Sequence, residues 1–313
     1  MEFSPLFWPV KFKKNLIYVL DESLLPSKLK YIKVDNYNKA VSLIKNLKTR
    51  AIGQVLLVFY TFLLEIEKAK HKTHKELLDL LSKIANSFNN ARPTLSFRYL
   101  TDLILGWAIS GENLKSNILN FLEKLKNARI KQAKKITEIL NDNDSILTHC
   151  NISGILSLVY QFCKGQNKKI SFFVTETRPY QQGWRLTIWE LKKVGCPAIA
   201  IADNAVAFVM QEGKVNKVIV GADNLAKNGD IANKIGTYQI AILAKHFNIP
   251  FYVICPPPSS AKTGKDIKIE IRSDKELLEY KGKSLVPKGT KGFYPAFDIT
   301  PNYLITKHIN FDL

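Results

Sequence analysis

A thiol, two carboxylates and an arginine stand at the ends of short apolar runs in the second half of this sequence. His149-Cys150-Asn151 closes one run, Glu176-Thr177-Arg178 a second, Asp203-Asn204 a third and Gly221-Ala222-Asp223 a fourth. If these runs are parallel strands, their carboxyl ends share one edge, and Cys150, Arg178, Asp203 and Asp223 face a single crevice. Each residue also has a plain structural explanation, since an Asp after Gly commonly caps a helix or holds a turn. Agreement across four runs favours a site. A thiol opposite a carboxylate suits proton transfer in a sugar phosphate, where one group gives a proton and the other takes one. Arg178, Arg92 and Lys234 are the candidate phosphate partners.

Other chemistries lack their residues. There is no G-x-G-x-x-G after a strand and no G-x-x-x-x-G-K-[ST], so neither a dinucleotide nor a nucleotide cradle is signalled, and no cofactor is expected. The four cysteines, Cys150, Cys163, Cys196 and Cys255, have no C-x-x-C spacing, which argues against a zinc or redox motif. Cys163, Cys196 and Cys255 lie in or beside apolar segments and read as core. His71 and His74 fall among Lys70, Lys72 and Lys75, a solvated face with a weak claim to metal. No metal is expected.

The elements that must position these groups follow from periodicity. From Ile146 onward the pattern alternates strand and helix: strands at 146–149, 170–175 and 198–202, with helices at 153–163, 183–194 and 205–212. The stretch 218–256 repeats the unit, with a strand ending at Gly221, a helical pattern through Ile231, Ile235, Tyr238 and Ile242, and a strand over 250–255. The expected fold class is α/β, with a C-terminal doubly wound, Rossmann-like, mostly parallel sheet. Before it comes a smaller, mainly helical domain. Two extended runs, 16–20 and 29–34, give it a short sheet, and helical patterns follow at 37–69 (broken near Arg50–Gly53), 72–89 and 113–140. Asn141-Asp142-Asn143-Asp144-Ser145 is the clearest breaker and sets the expected domains at 1–140 and 141–313.

Composition bounds the setting. A chain of 313 residues accommodates two cores, and 46% hydrophobic residues is ordinary for a globular protein. No apolar run approaches the roughly 18 residues that cross a bilayer; the longest, 55–64, reads as a buried helix. The N-terminus shows no signal-peptide pattern, so a cytoplasmic protein is expected. The net charge of +19 is overwhelmingly lysine spread along the whole chain. Diffuse lysine fits a solvated surface and an anionic small substrate better than a nucleic-acid partner, for which clustered arginine is the better reader.

At higher specificity, Thr148-His149-Cys150-Asn151, Glu176-Thr177-Arg178-Pro179, Gln182-Gly183 with Arg185-Leu186-Thr187, and Trp189-Glu190-Leu191 resemble the methylthioribose-1-phosphate isomerases. So do Val218 to Tyr238 and Pro295-Ala296-Phe297-Asp298-Ile299-Thr300-Pro301. The resemblance runs from about residue 16 to 310 and is dense over 147–301. The wider family includes ribose-1,5-bisphosphate isomerases and regulatory subunits of translation initiation factor 2B, so both remain alternatives, the second without catalysis. The resemblance implies a cofactor-independent conversion of a cyclic aldose 1-phosphate to an open ketose 1-phosphate in methionine salvage. It assigns the catalytic pair to Cys150 and Asp223 and substrate contacts to Arg92, Gln182, Asn233 and Lys234. It further implies a homodimer formed through the second domain, of which the apolar 293–305 segment is the only hint in the composition.

Two departures stand out against that family. Where the isomerases read Arg-Gly-Ala-Pro-Ala-Ile-Gly at a phosphate loop, this chain reads Thr49-Arg50-Ala51-Ile52-Gly53. Arg50 is kept as a substrate contact, but the glycine whose backbone could wrap a phosphate is missing. Ala133 and Ile136 stand where the isomerases tend to carry glycine.

Overall fold

The computed structural model describes residues 3–91, 97–280 and 282–311. Two compact units divide the chain, Glu2–Ala128 and Arg129–Asp312. The first opens with an antiparallel meander of β1 (Val10–Lys13), β2 (Leu16–Leu20) and β3 (Tyr31–Val34). Sequence reading finds only the last two strands. In β1 the lysines at 11 and 13 disguise a period-2 alternation in which Val10 is fully buried and the lysines face out.

The helices of this unit are α1 (Tyr37–Lys45), α2 (Ile52–Lys68), α3 (His74–Asn89) and α4 (Arg98–Ile109), followed by α5 (Leu114–Ile139). The two units divide inside α5, and the Asn141–Ser145 breaker follows its end. Within α2 the apolar run is buried on nearly every side. Phe59 stacks on Phe121 at 4.4 Å between ring centroids. Helix α3 starts at a capping box: Thr73 Oγ1 accepts from the Glu76 N–H, and Glu76 Oε2 accepts from the Thr73 N–H. Its buried residues Leu81, Ile84, Ala85 and Phe88 recur at helical spacing, while His71 and His74 are exposed.

The second unit alternates as expected: β4 (Ser145–Thr148), α6 (Ile155–Gly165), β5 (Ser171–Thr175), α7 (Trp189–Lys193), β6 (Ala198–Ile201), α8 (Val206–Gln211) and β7 (Lys217–Gly221). A wide π-helical turn, Gly183–Ile188, leads directly into α7. Beyond β7 the chain makes β8 (Asn224–Leu225), β9 (Ile231–Lys234), α9 (Thr237–His246) and β10 (Phe251–Ile254). The helical reading of 231–242 is therefore corrected. Ile231 to Lys234 are extended, and α9 begins only after Gly236, whose φ of +102° stops any earlier start. The two short pairs β11 (Ile271–Arg272) with β14 (Tyr294–Pro295) and β12 (Glu279–Tyr280) with β13 (Lys283–Ser284) flank α10 (Lys275–Leu278). Then β15 (Phe297–Thr300) pairs antiparallel with β9, and β16 (Lys307–Ile309) adds to the main sheet.

That main sheet has the order β16-β10-β7-β4-β5-β6, every pairing parallel. Strand β7 is central, and Val218, Ile219 and Val220 are fully buried, as expected for a strand covered on both faces. At the start of the strands, Lys217 Nζ meets Asp144 Oδ2 at 2.9 Å in a buried ion pair. Asn216 donates to the same carboxylate at 3.0 Å, pinning the β4–β7 register from below.

Candidate functional site

Sheet order decides where a crevice forms. From β4 the chain winds outward through β5 to β6; from β7 it winds the other way through β10 to β16. The loops leaving β4 and β7 therefore part from each other, which makes this junction the topological switch point at which doubly wound sheets hold ligands. Leu147 pairs with Val218 across the junction, so the same advance along each strand brings Cys150 level with Gly221. A Cβ added at Gly221 would lie 3.4 Å from Ile152 Cγ2, so the loop after β4 folds over the end of β7. Cys150 is half-buried. Asp223 is exposed just past β7, its N–H bonded to Ala232 O at 2.9 Å. The two residues thus leave adjacent strands on either side of the junction.

The Cys150 loop is shaped by its neighbours' hydroxyls. Cys150 has a left-handed φ of +65°, as does Thr177 at the end of β5. The Cys150 N–H donates to Thr177 Oγ1 at 2.9 Å, and its carbonyl accepts from Thr187 Oγ1 at 2.6 Å. The same Thr177 Oγ1 is 3.3 Å from Thr175 Oγ1, which is 2.7 Å from His149 Nδ1. His149 Nε2 lies 2.9 Å from the Ile235 carbonyl. A carbonyl only accepts, so the ring proton is assigned to Nε2 and Nδ1 accepts from Thr175. Burial holds the imidazole below its ordinary pKa, in keeping with a neutral ring. One chain of hydrogen bonds thus joins the Cys150 backbone to the loop carrying Lys234, Ile235 and Gly236. Glycine suits this point, where φ is +102° and a Cβ would crowd His149 Cε1 at 3.3 Å.

Asn233 and Lys234 are buried at 5% and 7% exposure, so neither is a solvated surface group. Asn233 Nδ2 donates to Thr237 Oγ1 at 3.0 Å, and Lys234 Nζ lies 4.5 Å from the Phe297 ring centroid. Gln182 is 4% exposed and its Oε1 has no hydrogen-bond partner among the described residues, an arrangement that costs free energy until a donor arrives. It precedes Gly183, whose added Cβ would fall 1.9 Å from Thr175 O, so the wide turn lies directly against the end of β5.

The remaining sequence candidates are placed elsewhere or used otherwise. The Asp203 carboxylate accepts from the Thr177 and Arg178 N–H groups at 2.7 and 2.8 Å, which makes it an anchor of the loop after β5. The Arg178 guanidinium donates to Leu277 O at 3.0 Å. Arg50 belongs to the N-terminal unit, and Arg92 lies outside the described residues. In that N-terminal unit the buried Glu22 accepts from Thr49 Oγ1 at 2.6 Å and from the Arg50 N–H at 3.0 Å. Ala133 and Ile136 are fully buried. Among the described residues no group of three or more His, Cys, Asp or Glu is arranged to hold a metal, and no helix is long and apolar enough to cross a membrane.

Sequence reading assigns no role to Thr177, Thr187, Glu190 or Asp298, although all four lie within the motifs that carry the resemblance. Asp298 accepts from the Gly236 and Tyr238 N–H groups at 2.7 and 3.1 Å and so caps α9 from a distant strand. Burial pushes its carboxyl up to about 6 despite those bonds. Only the fold brings residue 298 to residue 236.

The profile of the initiation factor 2 subunit family matches residues 51–310. A methylthioribose-1-phosphate isomerase from Acetivibrio thermocellus is 36% identical over 95% of this chain and 93% of its own length. Another from Dehalococcoides mccartyi is 33% identical over 96% of each chain. Among solved structures, 5-methylthioribose 1-phosphate isomerase from Pyrococcus horikoshii OT3 superposes with a TM-score of 0.87 at 32% identity, covering 99% of this chain and 94% of that one. The translation initiation factor eIF-2B subunit delta from A. fulgidus gives a TM-score of 0.83 at 33% identity, covering 96% and 93%.

Proposed function

The chain belongs to the initiation factor 2 subunit family, and within it we propose that this protein isomerises 5-methylthioribose 1-phosphate to 5-methylthioribulose 1-phosphate, with Cys150 and Asp223 as the reacting pair. The observation that carries the reading is their placement on the two strands that flank the switch point. The relatives at 33–36% identity over nearly the whole chain bear the isomerase name, which supports it further.

The conversion gains and loses no atoms. Opening the ring breaks the bond between C1 and the ring oxygen, which takes up a proton. The C2 hydroxyl loses its proton as C2 becomes a carbonyl, and the hydrogen on C2 passes to C1. One group must therefore give a proton and another take one across the same sugar, the division of labour a thiol and a carboxylate can share. Gln182, Asn233 and Lys234 then bind hydroxyl and phosphate oxygens, with the buried Lys234 supplying positive charge away from bulk water. Arg50 and Arg92 are assigned to the phosphate by resemblance.

Incubation of the purified protein with methylthioribose 1-phosphate tests the reading. Ketose product is expected from the wild type, with turnover reduced about 10²- to 10⁴-fold in Cys150→Ser and Asp223→Asn. Absence of product, or full turnover in both variants, overturns it. The altered Thr49–Gly53 loop favours a second substrate, ribose 1,5-bisphosphate, and side-by-side turnover separates the two. A homodimer in the cytoplasm completes the proposal. The exposed apolar Tyr238 and Ile242 on α9, beside a groove of about 420 Å³, support an interface, and four cysteines that form no disulfide suit a reducing compartment.

A further inference from the structure

Behind the Cys150 loop lies a pair of opposite charges that the isomerisation above does not use. Glu190 on α7 is fully buried, and its Oε1 accepts from Asn151 Nδ2 at 3.0 Å. Arg129, 8% exposed, donates from Nη2 to Ser153 O at 2.5 Å. Burial pushes the guanidinium down to about 10 while the charge of Glu190 draws it back up, so Arg129 is a cation at neutral pH. The residue that Glu190 holds is the one next to the thiol. Asn151 Nδ2 also donates to Thr187 Oγ1 at 3.0 Å, and that hydroxyl donates to the Cys150 carbonyl. Asn151 Oδ1 accepts from the Ser153 N–H at 2.9 Å.

Two opposite charges buried near each other add little net stability, because desolvation offsets most of their attraction. Here they sit under a loop with two left-handed non-glycine residues, Cys150 at φ +65° and Ser153 at φ +48°. Such residues persist only where their surroundings hold them. We propose that Arg129 and Glu190 are positioning residues for Cys150: one holds the Ser153 carbonyl, the other holds Asn151, and together they fix the turn that presents the thiol at the switch point. The wide turn Gly183–Ile188 belongs to the same device, since it delivers Thr187 and, through α7, Glu190 to the loop. The proposal rests on the reading that Cys150 reacts with the sugar.

Full-length Glu190→Gln, Thr187→Val, Arg129→Lys and Arg129→Met are compared with wild type for kcat and KM on methylthioribose 1-phosphate and for alkylation of Cys150 by iodoacetamide. Alkylation reports this site alone, because Cys163, Cys196 and Cys255 are 0%, 1% and 2% exposed and burial pushes all three thiols up. Glu190→Gln keeps the shape and an acceptor for Asn151 but removes the charge. It is expected to lower kcat about tenfold with KM within about twofold, and to change the alkylation rate about fivefold. Arg129→Lys should recover most of the kcat lost in Arg129→Met, a rescue that packing alone does not supply. Folded Glu190→Gln and Thr187→Val proteins with wild-type kcat and alkylation overturn the proposal. Should Glu190→Gln fail to fold, Thr187→Val decides on the same two readouts. Wild type that makes no ketose, with alkylation still altered in Glu190→Gln, overturns the isomerase reading and supports the positioning of the thiol.

Discussion

The Arg50 loop of the N-terminal unit and the Cys150 loop of the C-terminal unit each contain a non-glycine residue at positive φ, Ala51 at +39° and Cys150 at +65°. They use their backbone donors differently. In the first, the Arg50 N–H goes to the buried acid Glu22, and the Gly53 and Gln54 N–H groups go to Arg50 O and Ala51 O. Three of the amides in this loop are thus engaged by the loop's own unit. In the second, hydroxyls of Thr177 and Thr187 satisfy the backbone of Cys150, whose side chain is half-buried. A motif can lose its glycine and keep its arginine when an internal acid takes up the loop. A cysteine loop held by Thr177, Thr187, Asn151, Glu190 and Arg129 has no such latitude.

The comparison breaks most readily at Gly183. Because a Cβ there would fall 1.9 Å from a backbone oxygen of β5, Gly183→Ala should destabilise the protein by about 3 kcal/mol in urea unfolding. A near-neutral result would mean the wide turn adapts and the second loop is softer than described. Arg50→Ala should act more mildly and of a different kind, raising KM about tenfold with kcat within about threefold. An equal loss in kcat would place Arg50 among the groups that act only in the transition state, and the contrast between the loops would fail.

The smallest expected effect is a pH dependence. Asp298 titrates at 3.8 unfolded and near 6 folded, so the folded state binds more protons between those values. Its contribution to stability is full below 3.8 and is lost as pH rises through about 6. His149 runs oppositely: burial lowers its pKa, so its contribution is full above 6.5 and is lost as pH falls through the folded value. Asp298→Asn should therefore flatten the decline in unfolding free energy between pH 3.8 and about 6, leaving the His149 dependence in place. A variant with an unchanged slope would remove Asp298 as its source.

How much of this was readable beforehand follows from sequence distance. The parallel alternation and the strand-end position of Cys150 and Asp223 are local patterns, and periodicity reveals them. The strand at 231–234 was hidden because Ile231, Ile235, Tyr238 and Ile242 happen to fit helical spacing, while the partner that makes it extended, Phe297–Thr300, lies far along the chain. Asp203 looked like a site acid, yet its oxygens are taken by two backbone donors of a neighbouring loop. Arg129 gave no signal, since one arginine in a lysine-rich helix looks solvated until the sheet is folded against it.

The widened turn at Gly183–Ile188 also shapes how this segment can change over time. Removing one residue there would restore ordinary helical winding and, because the wide turn already absorbs one extra residue, leave the helix downstream in its present register. Glu190 would stay opposite Asn151, while residues inside the turn, Thr187 among them, would be re-aimed. The extra residue therefore serves the aim of Thr187 and not the course of the helix that follows, and the two can change independently.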